Sequence, residues 1–592
     1  MKISYILAAS AAALTIGMGG FELTKPEAGA PFISPLDLVR SACGKDAAAI
    51  FKRRAYFAAI GSAWAATQGE TPSASTHAAM MTTPGVAYAI VTKSAEAQRL
   101  FNAGLAHMWN FNHGAAIDAF KAAQGADPDC AMCYWGEAFA LGPNINAPMM
   151  DDAVAPAYAA TQGAMARREH ASEKERDLIE ALTPRYAKAP LTDRSALDEA
   201  FAAAMENVAE KYPDDDFILA LAAEANMDTQ RWDYWQADGR TPKGRAQKSV
   251  DLIEKILARS PDHQAAIHLY IHMTEASDNP FRAAPYADRL AALSPGLGHL
   301  MHMPSHTWSR IGRWRQAIDD NVKAASADEA FLAGGRASPM YEFGYYVHNV
   351  HFVLWSAQLA GDAPTALAMA KKLDAKLPYE MAAAVPIAQP IKAAPLYAFA
   401  QFGDPAEVMA LEAPGDEFPF LKGAWHYARG EALAKKGDAA GARAEADAIE
   451  KIIDTGDLKG LVDNLIPAPD ILKISRLTVL ARAAAAEGDL AGAIKSMEQA
   501  VALQEALNYT EPAYWYYPAK QTLAAMVLKR GEAERAEQLF VESLAEWPNN
   551  GWAFYGLAEA YKAQHDKDAR KYAEKMMNAA WLGKEKPALD RL

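Results

Sequence analysis

The sequence predicts an all-α fold, an elongated solenoid of stacked helical hairpins. The chain has 592 residues, which is too long for one compact core and favours several domains or a repeat array. Alanine is very abundant, whereas the Val, Ile and Thr alternation of strands is hard to find, and this composition favours helices. Small, aromatic and proline residues also recur at a fixed spacing, as expected for repeated hairpins.

The charge of the chain limits the classes of partner. It carries 59 Lys and Arg against 73 Asp and Glu, a net charge of −14, so we expect no nucleic-acid partner and no anionic membrane surface as partner. The sequence has no GxxxxGK[ST], no GxGxxG after a strand and no GxSxG elbow, which leaves nucleotide use and serine-hydrolase chemistry without support. Cys130 and Cys133 form a lone CxxC, where we expect packing residues or an incidental disulfide.

The N-terminus has the pattern of an export signal. The stretch MKISYILAASAAALTIGMGG places a lysine before a short apolar run, and AGA at residues 28–30 suits cleavage, so we expect a signal peptide over residues 1–30. The later FKRRAYFAAIGSAWAA resembles a twin-arginine signal, and in that alternative the signal extends to residue 65. Residues 31–93 are then the rest of the leader and a flexible linker, and the mature protein is periplasmic or secreted. No later apolar run reaches 18 residues, so we expect no membrane span in the mature chain.

Repeated hairpins account for the spacing of the small residues. In FNAGLAHMWNFNHGAAIDAFKAAQGADP, the skeleton of one repeat falls at Gly104, Ala116, Phe120, Ala123 and Pro128. The skeleton recurs at Ala536, Phe540, Ser543 and Pro548, and looser copies contain Ala493/Met497/Ala500, Ala442/Ala446 and Ala366/Ala370. The small residues let the two helices of a hairpin pack closely, and each hairpin must stack on its neighbours to bury its apolar face.

This skeleton resembles that of the tetratricopeptide-repeat (TPR) family over residues 94–580. The resemblance implies a right-handed superhelical solenoid of TPR-like hairpins. We divide it into an N-terminal array of hairpins (94–228), a histidine-rich segment (229–375) and a C-terminal array (376–592). The fold by itself does not imply a function.

Histidines occupy equivalent positions in three consecutive hairpins. His268 and His302 are 34 residues apart. The same separation joins His272 to His306, and it equals the length of one repeat. The histidines in register are His268, His272, His299, His302, His306, His348 and His351. Within each hairpin their spacing of three, four or seven residues puts them on one face of the first helix.

Three local motifs carry a closer resemblance. They are HxxxHxxE at 268–275, GHLxHMPSH at 298–306 and YYxHNxHF at 345–352. These motifs resemble those of an exported bacterial branch of the TPR family. In TPR proteins the corresponding positions of the first helix line the concave groove where ligands bind, so the resemblance implies a groove lined with histidines.

The seven histidines together with Glu275 have the composition of a mono- or dinuclear transition-metal site. Copper is favoured by the imidazoles, by export and by the neighbouring Met273, Met301 and Met303, while iron or zinc would also suit the site. For any single histidine, a metal-free contact in the groove is the alternative. We expect residues that support the ligands or contact a substrate at Arg310, Arg313, Trp232 and Trp235.

Two functions are compatible with this pattern. The first is an exported metalloprotein, with a copper- or iron-dependent oxidoreductase as the candidate enzyme, acting on a small molecule or peptide held in the groove. The alternative is a non-catalytic TPR scaffold that binds a partner protein or stores metal. Scaffolds that grip acidic peptide tails place Lys, Arg and Asn at the groove positions, where this chain places histidine.

Overall fold

The computed structural model describes residues 86–191, 193–236, 238–335, 337–507 and 509–592. Within these ranges the chain is helical, and its β-structure is limited to two isolated bridges, Asn144 with Ala147 and Trp235 with Pro242. The predicted signal peptide and most of the predicted leader and linker lie outside the described residues. The end of that linker, residues 86–93, is extended, and Tyr88 stacks on Phe217 with ring centroids 4.2 Å apart.

Successive helices pair into hairpins that stack along the chain, so the predicted all-α, right-handed superhelical solenoid is confirmed. The N-terminal helices are α1 Ala95–Trp109, α2 His113–Ala126, α3 Ala131–Ala140, α4 Asp151–Ala166, α5 Glu173–Leu182, α6 Ser195–Lys211 and α7 Asp216–Asp228. The central helices are α8 Ala246–Arg259, α9 Gln264–Glu275, α10 Ala284–Leu293, α11 Gly298–His302, α12 Pro304–Ile311, α13 Trp314–Leu332, α14 Val347–Ala360 and α15 Ala363–Lys376. The C-terminal helices are α16 Tyr379–Ala384, α17 Ala388–Phe402, α18 Pro405–Met409, α19 Pro419–Lys435, α20 Ala439–Thr455, α21 Lys459–Asp463, α22 Ala468–Ala486, α23 Leu490–Ala506, α24 Ala519–Lys529, α25 Ala533–Glu546, α26 Gly551–Ala563 and α27 Lys567–Ala580. Short 3₁₀ turns at Arg168–His170, Thr183–Arg185 and Pro280–Ala283 and a π-helical turn at Tyr341–Tyr346 complete the list.

Close approach of helices at glycine explains the predicted skeleton. The ring of Phe120 in α2 fills a slot between α1 and α3, where a Cβ at Gly104 or at Gly136 would lie 2.5 Å from the ring. Near the C-terminus, Phe540 fills the same kind of slot against Gly556. Each aromatic side chain is fully buried, so it holds neighbouring hairpins together by apolar burial and close packing.

The turn inside several hairpins has a recurring structure. A glycine in the left-handed region ends the first helix, at Gly361, Gly437 and Gly488, with φ of 75°, 78° and 85°. An aspartate follows each glycine, at Asp362, Asp438 and Asp489, and its side chain accepts a hydrogen bond from a backbone N–H in the first turn of the second helix. The glycine relieves backbone strain and the aspartate caps the helix, so the Gly-Asp pair fixes the turn between antiparallel helices.

The C-terminal hairpins pack back onto the histidine-rich segment. The indole N–H of Trp314 donates to the carbonyl of Pro548 at 3.0 Å. In the other direction, the indole N–H of Trp552 donates to the carbonyl of Gln358 at 3.0 Å. The superhelix therefore returns on itself, and the central hairpins are enclosed by the C-terminal ones. Among the described helices, none combines the length and apolar character needed to cross a bilayer.

Two glycine substitutions in neighbouring helices test the packing model. Gly104→Ala should lower the free energy of unfolding by about 1–3 kcal/mol, because the new Cβ overlaps the buried ring of Phe120. Gly125→Ala is the matched control, since nothing lies within 4 Å of a Cβ there, and it should be neutral or stabilising by up to about 1 kcal/mol. Urea unfolding measures both; equal effects of the two substitutions would contradict the model.

Candidate metal centre

The predicted histidines come from four helices of the central hairpins, α9, α11, α12 and α14. His268 and His272 lie in α9, whereas His348 lies in the first turn of α14. The prediction of one continuous helix for residues 299–306 is wrong, because the helix breaks between α11 and α12. Pro304 lacks a backbone N–H, which removes a helical hydrogen bond at that point. Met303 keeps helical dihedral angles, with φ −50° and ψ −39°, so the histidines on either side of it still face the same way.

The first histidine cluster consists of His268, His272 and His299. One ring nitrogen from each lies within 4.8 Å of the others, and the Nε2 atoms of His268 and His299 are 3.1 Å apart. All three side chains are buried. Burial lowers the pKa of His268 to about 3, so this imidazole is neutral at physiological pH, which is the form that binds metals.

The second histidine cluster consists of His302, His306 and His348. Again one ring nitrogen from each lies within 4.8 Å of the others, and the Nε2 atoms of His302 and His306 are 2.7 Å apart. Nitrogens bound tetrahedrally to one ion are about 3.4 Å apart, given bonds of about 2.0–2.1 Å. Small movements of the side chains would therefore bring the ring nitrogens of both clusters to that spacing.

The tautomer of His302 follows from its contact with Asn321. The amide Nδ2–H of Asn321 donates to the carbonyl of Ala317 at 2.7 Å, which turns the amide oxygen toward His302. That oxygen lies 2.6 Å from Nδ1 of His302. An oxygen acceptor at this position requires a proton on Nδ1, so Nε2 of His302 carries the lone pair that faces the cluster.

Glu275 joins the two clusters. Its Oε1 is 2.9 Å from Nδ1 of His272, and its Oε2 is 2.6 Å from Nδ1 of His306. A second carboxylate, Glu511, places its Oε2 2.5 Å from the same Nδ1 of His306. A carboxylate on one ring nitrogen orients the ring and raises the basicity of the other nitrogen, which is the common support for a metal-binding histidine.

The charge state of this group depends on the two carboxylates. Burial, followed by the charge of Glu511, raises the pKa of Glu275 to about 8. Burial opposes a charge on His306, but Glu275 and Glu511 outweigh it and raise the pKa of His306 to about 9. The raised pKa of His306 favours its imidazolium form, in which Nε2–H donates to the lone pair of His302. A metal ion between these rings would replace that proton, because each nitrogen then offers a lone pair.

A buried polar network fixes the backbone of α11. The side-chain oxygen of Asn110 accepts a hydrogen bond from the backbone N–H of Leu300, and its amide donates to Tyr341. Tyr341 donates to Asp328 at 2.6 Å. Asn349, next to His348, donates to the other oxygen of Asp328 at 2.7 Å. The network thus ties the turn after α1 to the helices that carry His299 and His348.

The structure places His351 outside both histidine clusters, although the sequence predicted it as a ligand. Its Nε2 lies 2.5 Å from the hydroxyl of Tyr516, which comes from the C-terminal array. Burial lowers the pKa of His351 to about 3, so the ring is neutral. His351 lies three residues after His348 in α14, slightly less than one helical turn. Its side chain therefore points in a different direction, toward Tyr516 and away from His302.

The other four predicted residues separate into different environments. Trp232 packs edge-on against His272, with ring centroids 5.1 Å apart, whereas the indole of Trp235 donates to the carbonyl of Met273 at 2.8 Å. Arg310 lies over the ring of Tyr509, at 5.4 Å, in the loop that carries Glu511. The structure does not bring Arg313 to the clusters: it lies over Trp308 at 4.9 Å and 3.6 Å from Asp288.

Glu511, Asn321 and Tyr516 were not predicted. The signal for Glu511 and Tyr516 is the stretch TEPAYWYYP at 510–518, an aromatic and proline-rich insertion that interrupts the spacing of the repeats. The signal for Asn321 is its position in α13, four residues after Ala317 and three before Ala324, on the helix face that the structure buries, where a polar side chain needs a partner. The groove also differs from expectation. The loop that carries Glu511 covers the histidines, which were expected to line the groove.

Asp328 gives the buried network a pH dependence. Burial raises the pKa of Asp328 to about 7, despite the hydrogen bonds from Tyr341 and Asn349, whereas an unfolded aspartate has a pKa of about 3.9. Its contribution to stability is therefore complete below about pH 4 and is lost as the pH rises through about 7, with a slope of at most about 1.4 kcal/mol per pH unit.

We expect the urea midpoint of the wild type to fall between pH 5 and about pH 8 relative to that of Asp328→Asn, since the variant cannot titrate at this position. Asp319→Asn, an exposed position in the same helix, serves as control and should follow the wild type. Parallel profiles for wild type and Asp328→Asn would show that Asp328 keeps an ordinary pKa.

No protein-family model and no curated protein matches the sequence. Among solved structures, the chain is similar to the Cut9–Hcn1 hetero-tetramer of the APC/C, at 14% identity over 78% of this chain and 76% of that chain, with a TM-score of 0.29. It is also similar to human IFIT1, at 11% identity over 80% and 95% of the two chains with a TM-score of 0.29, and to yeast Tom70, at 14% identity over 82% and 95% with a TM-score of 0.22. The all-α, TPR-like description rests on the helical hairpins of this chain.

Proposed function

We propose that the protein is a transition-metal protein that binds two ions, one in each histidine cluster. The observation that carries the proposal is the convergence of six imidazoles into two adjacent groups of three, with ring nitrogens within 4.8 Å in each group. Rings of the two clusters approach each other closely, since His272 and His306 have centroids 5.8 Å apart. Two ions held there would be near neighbours, with Glu275 between them.

The supports around the rings favour this proposal over metal-free packing. The amide oxygen of Asn321 contacts Nδ1 of His302, and the carboxylate of Glu275 contacts Nδ1 of both His272 and His306. For His302 and His306 the other nitrogen, Nε2, faces the second cluster, as in known metal sites. Burying so many polar rings costs free energy unless they have partners, and an ion would satisfy three nitrogens at once.

Copper fits groups of three imidazoles well, while iron or zinc would suit a site that also uses Glu275. The methionine argument for copper loses weight, because Met273 and Met303 lie in the hydrophobic core. A bound pair of ions would supply redox or Lewis-acid chemistry. The residues of this chain would hold the ions and exclude bulk water, with Glu511 able to accept a proton beside them. An oxidoreductase is the activity we propose for such a site.

A TPR-like scaffold that binds a partner protein is the second candidate function. TPR-like folds serve protein interactions, and the C-terminal array offers surface for them. The loop that carries Glu511 covers the histidine clusters, so a partner peptide would bind elsewhere on the solenoid. The two functions are compatible in one chain.

Single histidine variants test the metal proposal. Wild-type protein loaded with Cu²⁺ and desalted should retain two ions per chain. His268→Ala should lose the ion of the first cluster and His348→Ala that of the second, because each substitution removes one of the three imidazoles of its cluster. Metal content by elemental analysis and helix content by circular dichroism are the measurements.

His170→Ala is the matched control, since the side chain of His170 is 55% exposed and distant from the clusters in the sequence; it should leave the metal content unchanged. A wild type without bound metal, or cluster variants that keep two ions, would refute the proposal and leave the scaffold function.

We also propose that the mature protein acts outside the cytoplasm. The support is the signal-like N-terminus, together with a disulfide between Cys130 and Cys133, a bond that persists in oxidising compartments. Mass spectrometry of the mature protein from its native host should find an N-terminus between residues 31 and 70. Protein that retains residue 1 would exclude cleavage.

A further inference from the structure

A cavity of about 150 Å³ lies against both histidine clusters. Its floor contains His272 and His299 of the first cluster and His306 and His348 of the second. The apolar part of its wall comes from Met340, Ile387, Pro390, Ile391, Pro512 and Tyr514. Imidazoles from both clusters and an apolar wall therefore line one pocket that is partly open to solvent, which places any occupant beside the ions of the proposed function.

The charges around the cavity restrict its occupant. The residues that line it include one acid, Glu511, and no lysine or arginine. The carboxylates of Glu275 and Glu511 already balance a positive charge on His306, so a carboxylate or phosphate on the occupant would find no further basic side chain among these lining residues and would approach the carboxylate of Glu511. An occupant that is uncharged in solution fits this lining, with its apolar part against the wall.

The size of the cavity restricts the occupant further. A cavity of about 150 Å³ lined by apolar side chains accommodates a molecule the size of benzene. Pockets for larger ligands measure roughly 300–1,000 Å³. A peptide segment is too large for this space, which separates the cavity from the groove function expected of TPR proteins.

We propose that the cavity binds an uncharged molecule of about one aromatic ring that carries a single oxygen or nitrogen donor, with the donor facing the histidine floor. This inference rests on the proposed metal sites, because the donor would complete the coordination of an ion. The aromatic ring of the bound molecule lies between Ile391 of α17 and Pro512 of the covering loop, which is the loop at 509–518 that carries Glu511. Phenol is the simplest molecule of this class.

The experiment uses the full-length mature protein loaded with Co²⁺, whose visible absorption reports changes in coordination. Phenol should change the spectrum saturably, because its oxygen would enter the coordination of an ion. Ile391→Trp fills the cavity and should weaken phenol binding at least about tenfold, at unchanged metal content. Ala513→Phe, in the covering loop, is a second filling variant that leaves α17 intact.

Val462→Trp, at a position that is 46% exposed, is the control and should bind phenol as the wild type does. Full metal content with no response to phenol, or equal phenol binding in the wild type and both filling variants, would overturn the cavity proposal alone. Absence of metal from the wild type would refute the metal sites and this proposal together.

Discussion

The structure depends on one constraint: ionisable rings removed from water must be given partners by the rest of the chain. His268, His272 and His302 are fully buried, and each unsatisfied polar atom there would cost free energy. The surrounding features answer this need. Asn321 is placed against His302, Glu275 lies between the two clusters, and a tyrosine-aspartate-asparagine network holds the helix between them. The buried histidines therefore require particular partner side chains at positions where helix packing alone would accept other residues.

Local physics explains what the sequence could predict. Close helix packing needs small residues at fixed positions, so the skeleton of Gly104 and Phe120 predicts a hairpin without knowledge of the remainder of the chain. A repeat of constant length also carries side chains from one hairpin to the next in register. For this reason the sequence placed His268 above His302 and identified the residues that the structure gathers in both clusters.

What could not be predicted depends on long-range packing. Glu511 lies 236 residues beyond Glu275 in the sequence, yet both contact His306. The covering loop lacks the helical spacing of apolar residues that made the hairpins recognisable. The return of the superhelix follows from small rotations summed over many hairpins. The same return explains His351, which shares the spacing of the ligand positions but faces Tyr516. Neither the contact of Glu511 nor that of His351 can be recognised from the spacing of neighbouring residues in the sequence.

The closed superhelix has a consequence for the order in which the site is assembled. Synthesis delivers the last clustered histidine at residue 348, whereas Glu511 follows 163 residues later. An ion captured by a growing chain would meet the imidazoles and Glu275, and the loop that carries Glu511 would cover it only when the C-terminal hairpins dock. In the finished protein the route between that ion and solvent would narrow to the cavity against both clusters, so the ion would exchange more slowly than from the growing chain.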